Sequence, residues 1–136
     1  MPLIGFTVFK DKLLSGEKRQ TIRKLRKRPF RVDDKLYLYW HLRRKDCEKI
    51  GEAICRETFF IETFSGITLC NSETFNYGCI LRFENLESGR FCRDLDPNEV
   101  EDLAKRDGFS NGREMLEWLL KHYPDMNEIT FQVVRW

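Results

Sequence analysis

Apolar residues change their spacing several times along the chain, and each change marks an element. Phe6, Phe9 and Leu13 recur at intervals of three and four. That spacing predicts a short helix over residues 7–15, capped by Thr7 and stopped by Gly16. The β-branched pair Thr21 and Ile22 places a short strand at Gln20–Lys24. Residues 26–34 read as a loop around Pro29, with a turn at Asp33-Asp34. Residues 36–41 form a buried strand, and residues 50–64 one long strand or a bent pair. Residues 65–95 hold further strands, with turns at Ser65-Gly66 and Ser88-Gly89. Asp96-Pro97-Asn98-Glu99 is a helix start, with an acid at the N-cap, proline next and glutamate in the capping-box position. Val100, Leu103, Ala104 and Asp107 follow at helical spacing, and Gly108 ends them. A second helix opens after Ser110 or Asn111, turns Met115, Leu116, Leu119, Leu120 and Tyr123 to one side, and closes at Pro124. Ile129, Phe131 and Val133 then alternate with Thr130 and Gln132 as a half-buried strand. The pattern predicts an α+β chain with a closed or nearly closed β core.

With 136 residues there is room for one sizeable core and not two, so residues 1–136 are expected to form a single domain. No repeat, low-complexity tract or Gly/Pro/Ser-rich linker divides them. The longest apolar stretch, Leu36-Tyr37-Leu38-Tyr39-Trp40, falls far short of the roughly 18–20 residues that span a bilayer. Met1-Pro2-Leu3 does not open a signal peptide. The chain is therefore expected in the cytoplasm, with no membrane partner. Its five cysteines lie no closer than eight residues apart and are not joined by His41 or His122. Reduced, mostly buried thiols are expected, with no structural zinc and no cofactor.

Charge sharpens this picture. The net charge is only +2, yet residues 18–31 carry eight basic side chains and no acid, against 16 basic and 22 acidic residues elsewhere. Lys24, Arg26, Lys27, Arg28 and Arg31 are candidate phosphate contacts. A solvated basic loop is the plainer alternative.

Just upstream stands Gly16-Glu17-Lys18-Arg19-Gln20-Thr21-Ile22-Arg23. On a regular strand Thr21 and Arg23 share a face and Lys18 does not. A turn after Gly16 lets Lys18 swing back, so that an amine, a hydroxyl and a guanidinium converge. This set suits a hydrolytic or phosphate-recognising site. Whether Lys18 is a base depends on its surroundings. Lowering its pKa by about 3 units requires roughly 4 kcal/mol, and a like charge about 6 Å away supplies roughly 2.8 kcal/mol at an effective dielectric near 20. A carboxylate in contact would instead keep it charged, as a stabiliser of an oxyanion or phosphate. Lys18→Met keeps much of the aliphatic stem and is expected to leave the fold intact. Tyr37, Tyr39 and Trp40 are readable as a base-stacking platform or as core, and His41 and His122 as structural or surface groups.

Gly-x-Lys-x-x-Thr-x-Arg after a short N-terminal helix resembles the signature of ASCH domains, which share the PUA-like β-barrel fold. Val32-Asp33-Asp34-Lys35-Leu36 is similar to the family's turn into its next strand, although Asp33 stands where glycine is common. Asp107-Gly108-Phe109, the helix after it and the last strand resemble its closing segment. The likeness covers about residues 3–64 and 94–136. Residues 65–93 match nothing in it and read as an insertion or extended hairpin. The resemblance implies a PUA-like barrel with a short N-terminal helix, two helices before the last strand, and a pocket for RNA or a modified nucleoside. One branch, small bacterial amidohydrolases acting on N(4)-acetylcytidine, uses a lysine and a threonine of the motif with a late acid. By position these are Lys18, Thr21 and Asp107 here, with aspartate where that branch has glutamate. Arg23 joins them in binding. Other members are ribonucleases or RNA-binding modules. The expectation is a metal-independent hydrolase on a modified nucleoside or RNA, or else a non-catalytic RNA-binding module.

Overall fold

The structure is a computed structural model and describes residues 3–64, 79–84, 92–125 and 128–136. Among these residues there are three helices, and eight strands that form two sheets. The smaller sheet has three strands. In it β1 (Leu3–Phe6) runs parallel to β3 (Lys35–Trp40), which pairs antiparallel with β4 (Glu48–Ile54). The larger sheet is antiparallel throughout. Its order is β2 (Gln20–Lys24), β8 (Thr130–Arg135), β5 (Glu57–Phe64), β6 (Cys79–Phe83) and β7 (Cys92–Asp94).

The closed β-barrel expected from the sequence is not what is found: neither sheet closes on itself. Closure needs a continuous hydrogen-bond ladder, and β1 and β2 are free edges of separate sheets. Where β1 meets the larger sheet the Arg23 guanidinium donates to the Gly5 carbonyl, a side-chain contact in place of a ladder.

Two apolar clusters hold the layers. Helix α2 (Pro97–Arg106) and helix α3 (Gly112–His122) cover one face of the larger sheet. There Val100, Leu103, Met115, Leu116 and Leu119 meet Ile22, Phe59, Ile61, Phe131 and Val133. The second cluster joins Ile4, Phe6, Leu36 and Leu38 of the smaller sheet to Val134, Phe30, Cys55 and Leu13. Fully burying a side chain the size of Phe131 contributes about 1.5–3 kcal/mol. Because β8 lies between β2 and β5 and each cluster takes one of its faces, Phe131, Gln132, Val133 and Val134 are all buried. The half-buried reading of this strand is thus corrected.

The first helix is shorter than its spacing implied. Helix α1 is Lys10–Ser15, Phe6 belongs to β1, and the N-cap is Phe9 in a left-handed conformation (φ 62°). Gly16 ends α1 at φ 80°, a conformation glycine adopts without strain. Residues 50–64 resolve into β4 and β5, a bent pair. The capping box at Asp96 and Glu99 is formed as read. The turns at 65–66 and 88–89 lie outside the described residues. No helix among the described residues is long and apolar enough to cross a membrane.

Candidate functional site

β2 is built to look two ways. Thr21 pairs across the ladder with Val134 and Arg23 with Gln132, on the side of the smaller sheet. Gln20 and Ile22 face the helices, where the Gln20 amide donates to the Leu103 carbonyl at 2.9 Å and to Asp107 Oδ1 at 3.3 Å. Lys18 lies ahead of the strand, past the Gly16 turn, with its backbone N–H bonded to the Lys12 carbonyl at 3.0 Å. The turn returns its side chain to Asp107, the C-cap of α2: Lys18 Nζ donates to Asp107 Oδ2 at 3.1 Å and to the Asp107 carbonyl at 2.5 Å.

The segment 107–109 is fastened at three points to residues 9–18, in and around α1. Lys18 holds the Asp107 carbonyl, Lys12 Nζ donates to the Gly108 carbonyl at 2.6 Å, and the Phe109 ring meets Phe9 edge-on at 5.0 Å. Gly108 has φ 103°, and a Cβ there would stand 3.0 Å from the Phe9 ring. Only glycine fits that approach without displacement.

Lys18, Thr21, Arg23 and Asp107 line one cavity of about 310 Å³. Gly5, Phe6, Thr7 and Val8 also line it, as do Phe109, Trp118, His122 and Tyr123. Trp118 and His122 stack at 4.1 Å. The Phe6 ring is within reach of both cations, 5.7 Å from Lys18 Nζ and 5.5 Å from the Arg23 guanidinium. Among the described residues the Thr21 hydroxyl has no hydrogen-bond partner, although the residue is buried. Arg23 Nε is buried and unpartnered too.

Electrostatics follow from this burial. Desolvation pulls the Lys18 pKa below the usual lysine value, against the attraction and hydrogen bond of Asp107, and Arg23 and Lys12 lower it further. Desolvation raises the Asp107 pKa, against Lys18, Gln20 and Arg23. Arg23 is likewise lowered by burial, with Tyr123 and Asp107 opposing. The ion pair and its neutral, proton-transferred form are therefore closer in energy than in water.

The remaining basic residues lie elsewhere. Lys24, Arg26, Lys27, Arg28 and Arg31 are exposed and outside the cavity lining. Their loop is anchored by Phe30, 3% exposed, whose backbone N–H and carbonyl both bond the Gln132 amide, at 3.0 and 2.8 Å. The Arg26 guanidinium covers the Phe30 ring at 4.7 Å. Sequence reasoning missed Gln20, Gln132, Trp118 and Tyr123, and read His122 only as a structural or surface group. Trp118 and His122, four apart on α3, carried a legible signal; the glutamines carried none. Tyr37, Tyr39 and Trp40 do not line the cavity, and Trp40 packs on the second apolar cluster. No family model, curated protein or solved structure matches this chain.

Proposed function

We propose that this chain is an ASCH-type, metal-independent hydrolase that takes a modified nucleoside, or the end of an RNA bearing one, into the cavity at Lys18, Thr21, Arg23 and Asp107. The observation that carries this reading is that an amine, a free hydroxyl, a guanidinium and a carboxylate line one nucleoside-sized cavity with aromatic walls. A volume of about 310 Å³ lies at the small end of ligand sites and suits a single nucleoside. The likeness of residues 16–23 and 107–109 to the ASCH signature supports the same reading.

In an amide hydrolysis Thr21 Oγ1 attacks the acyl carbon or holds the water that does. The developing oxyanion meets the cations of Lys18 and Arg23. A proton leaves the attacking oxygen and reaches the departing amine as the C–N bond breaks; where Thr21 made the attack, a water then hydrolyses its acyl ester, releasing the acid and restoring the hydroxyl. The Asp107 carboxylate, its proton affinity raised by burial, is suited to holding that proton between the two events.

A second reading, a non-catalytic RNA-binding module, draws on the five exposed basic residues and on Lys18 already donating twice to Asp107. One experiment separates them. The protein is incubated with N(4)-acetylcytidine and with mixed RNA, and products are followed by mass spectrometry. Hydrolysis is expected, with Thr21→Val lowering turnover by about 10²–10⁴-fold while nucleoside affinity falls less than roughly tenfold. Turnover that survives Thr21→Val would remove the site assignment; binding without product would favour the module.

A further inference from the structure

A second concavity, of about 230 Å³, opens where Gln20 rather than Thr21 forms the wall. Glu17, Arg19, Arg106, Arg135 and Trp136 complete it, and it has no lining residue in common with the first cavity. Three arginines from separate stretches line it: Arg19 ahead of β2, Arg106 at the end of α2 and Arg135 at the end of β8.

Each guanidinium makes a hydrogen bond through its Nε–H. Arg19 Nε donates to the Gly16 carbonyl at 3.1 Å, Arg106 Nε to Asp102 Oδ2 at 2.9 Å, and Arg135 Nε to Gln20 Oε1 at 2.8 Å. Gln20 is itself held by its amide donating to Leu103 and Asp107, so its oxygen must face Arg135. Arg135 also donates through Nη1 to Glu57 Oε2 at 3.0 Å. Among the described residues the Nη2 groups of all three arginines, and Nη1 of Arg19 and Arg106, have no hydrogen-bond partner. Glu17 is the one acidic side chain on the wall.

We propose that this concavity is an oxyanion site for the phosphate group of a phosphomonoester or phosphodiester. Guanidiniums held at Nε present their remaining N–H groups in fixed planes, the arrangement that matches tetrahedral phosphate oxygens. Three such forks offer more donors than the two oxygens of a carboxylate can accept. The volume admits a phosphate with its ester substituent, and Trp136 supplies a wall for that substituent.

The test titrates inorganic phosphate into the ¹⁵N-labelled full chain at constant ionic strength, following the arginine Nε–Hε resonances. Saturable shifts confined to Arg19, Arg106 and Arg135 are expected. Arg19→Gln with Arg106→Gln, both at exposed positions, should weaken binding by at least about tenfold. Glu17→Gln removes a repelling carboxylate and should tighten binding by roughly two- to fivefold. Thr21→Val should titrate like the parent protein, so the failure of one site leaves the other standing. Displacement of the phosphate by a short single-stranded RNA assigns the site to phosphodiesters; displacement by a nucleoside 5′-monophosphate alone assigns it to phosphomonoesters. Shifts that never saturate, or an affinity indifferent to both the arginine and the Glu17 variants, overturn the proposal.

Discussion

At the scale of single residues, the burial of Lys18 decides what its replacement does. The side chain is 3% exposed and satisfies both a carboxylate oxygen and a carbonyl of Asp107. Lys18→Met strands that carboxylate without its partner, so the tolerance expected from the aliphatic stem does not hold. Breaking a buried pair at one end costs about 3–5 kcal/mol. Asp107→Asn strands the ammonium in the same way. The double variant removes both charges of the pair, and denaturant melts should find its cost smaller than the sum of the two by about 1–3 kcal/mol. Strict additivity would mean that the pair is not coupled. The cysteines give a second residue-level outcome. Burial, with Asp34 adding to it, pushes the Cys55 thiol up from 9.0 to about 11, while Cys47 is exposed. The folded value lies above the unfolded one. The contribution of Cys55 to stability is therefore complete below about pH 9 and is lost as pH rises through about 11. Stability measured across that window should fall, and Cys55→Ala should remove that part of the fall. At pH 8 iodoacetamide should label Cys47 and spare Cys55, and equal labelling in the folded protein would contradict the burial.

At the scale of elements, the turn 107–109 links the late helices to α1, and Gly108 makes it possible. Gly108→Ala places a side chain at φ 103° and 3.0 Å from the Phe9 ring. It should lower stability by about 1–3 kcal/mol. It should also weaken nucleoside binding, because the carbonyls that hold Lys12 and Lys18 move with the turn. Calorimetry of Gly108→Ala that matched the parent in both respects would show the turn to be slack. The signals that were legible in the sequence are those made within one turn of chain. The α2 start was readable because Asp96, Pro97 and Glu99 act on one another locally. The convergence of Lys18 on Thr21 and Arg23 was readable because Gly16 reverses the chain next to them. Phe6 misled because its spacing to Phe9 and Leu13 mimics a helix, while its partner is Trp40 in a parallel strand pair. The Gln20–Arg135 and Gln132–Phe30 bonds span 115 and 102 residues, and no local pattern announces them.

At the scale of the molecule, the two sheets leave an open seam between β1 and β2, and the charge along that seam is sorted by exposure. Lys18 and Arg23 are drawn into the cavity and Arg19 lines the other concavity, whereas Lys24, Arg26, Lys27, Arg28 and Arg31 stay in solvent. The eight basic side chains of residues 18–31 therefore do not act as one patch, and only the exposed ones are placed to follow a nucleic-acid backbone. If about four of them contact phosphates of single-stranded RNA, counterion release gives a log–log dependence of affinity on salt with a slope near −3. Replacing Arg26, Lys27 and Arg28 by alanine leaves Lys24 and Arg31, and the slope should flatten to about −1. The fold should survive this change. Phe30, not the charged residues, anchors the loop through its buried ring and the Gln132 amide. The Arg26–Phe30 contact it removes is worth only about 0.5–1 kcal/mol at an exposed position. Nucleoside uptake in the cavity should be nearly unchanged, since none of the three residues lines it. Filter binding of a labelled RNA oligomer across a salt series, run beside nucleoside calorimetry on the same variant, measures both quantities. RNA binding that is absent at low salt, or a slope that the triple replacement does not alter, would mean that the exposed basic loop has no nucleic-acid partner.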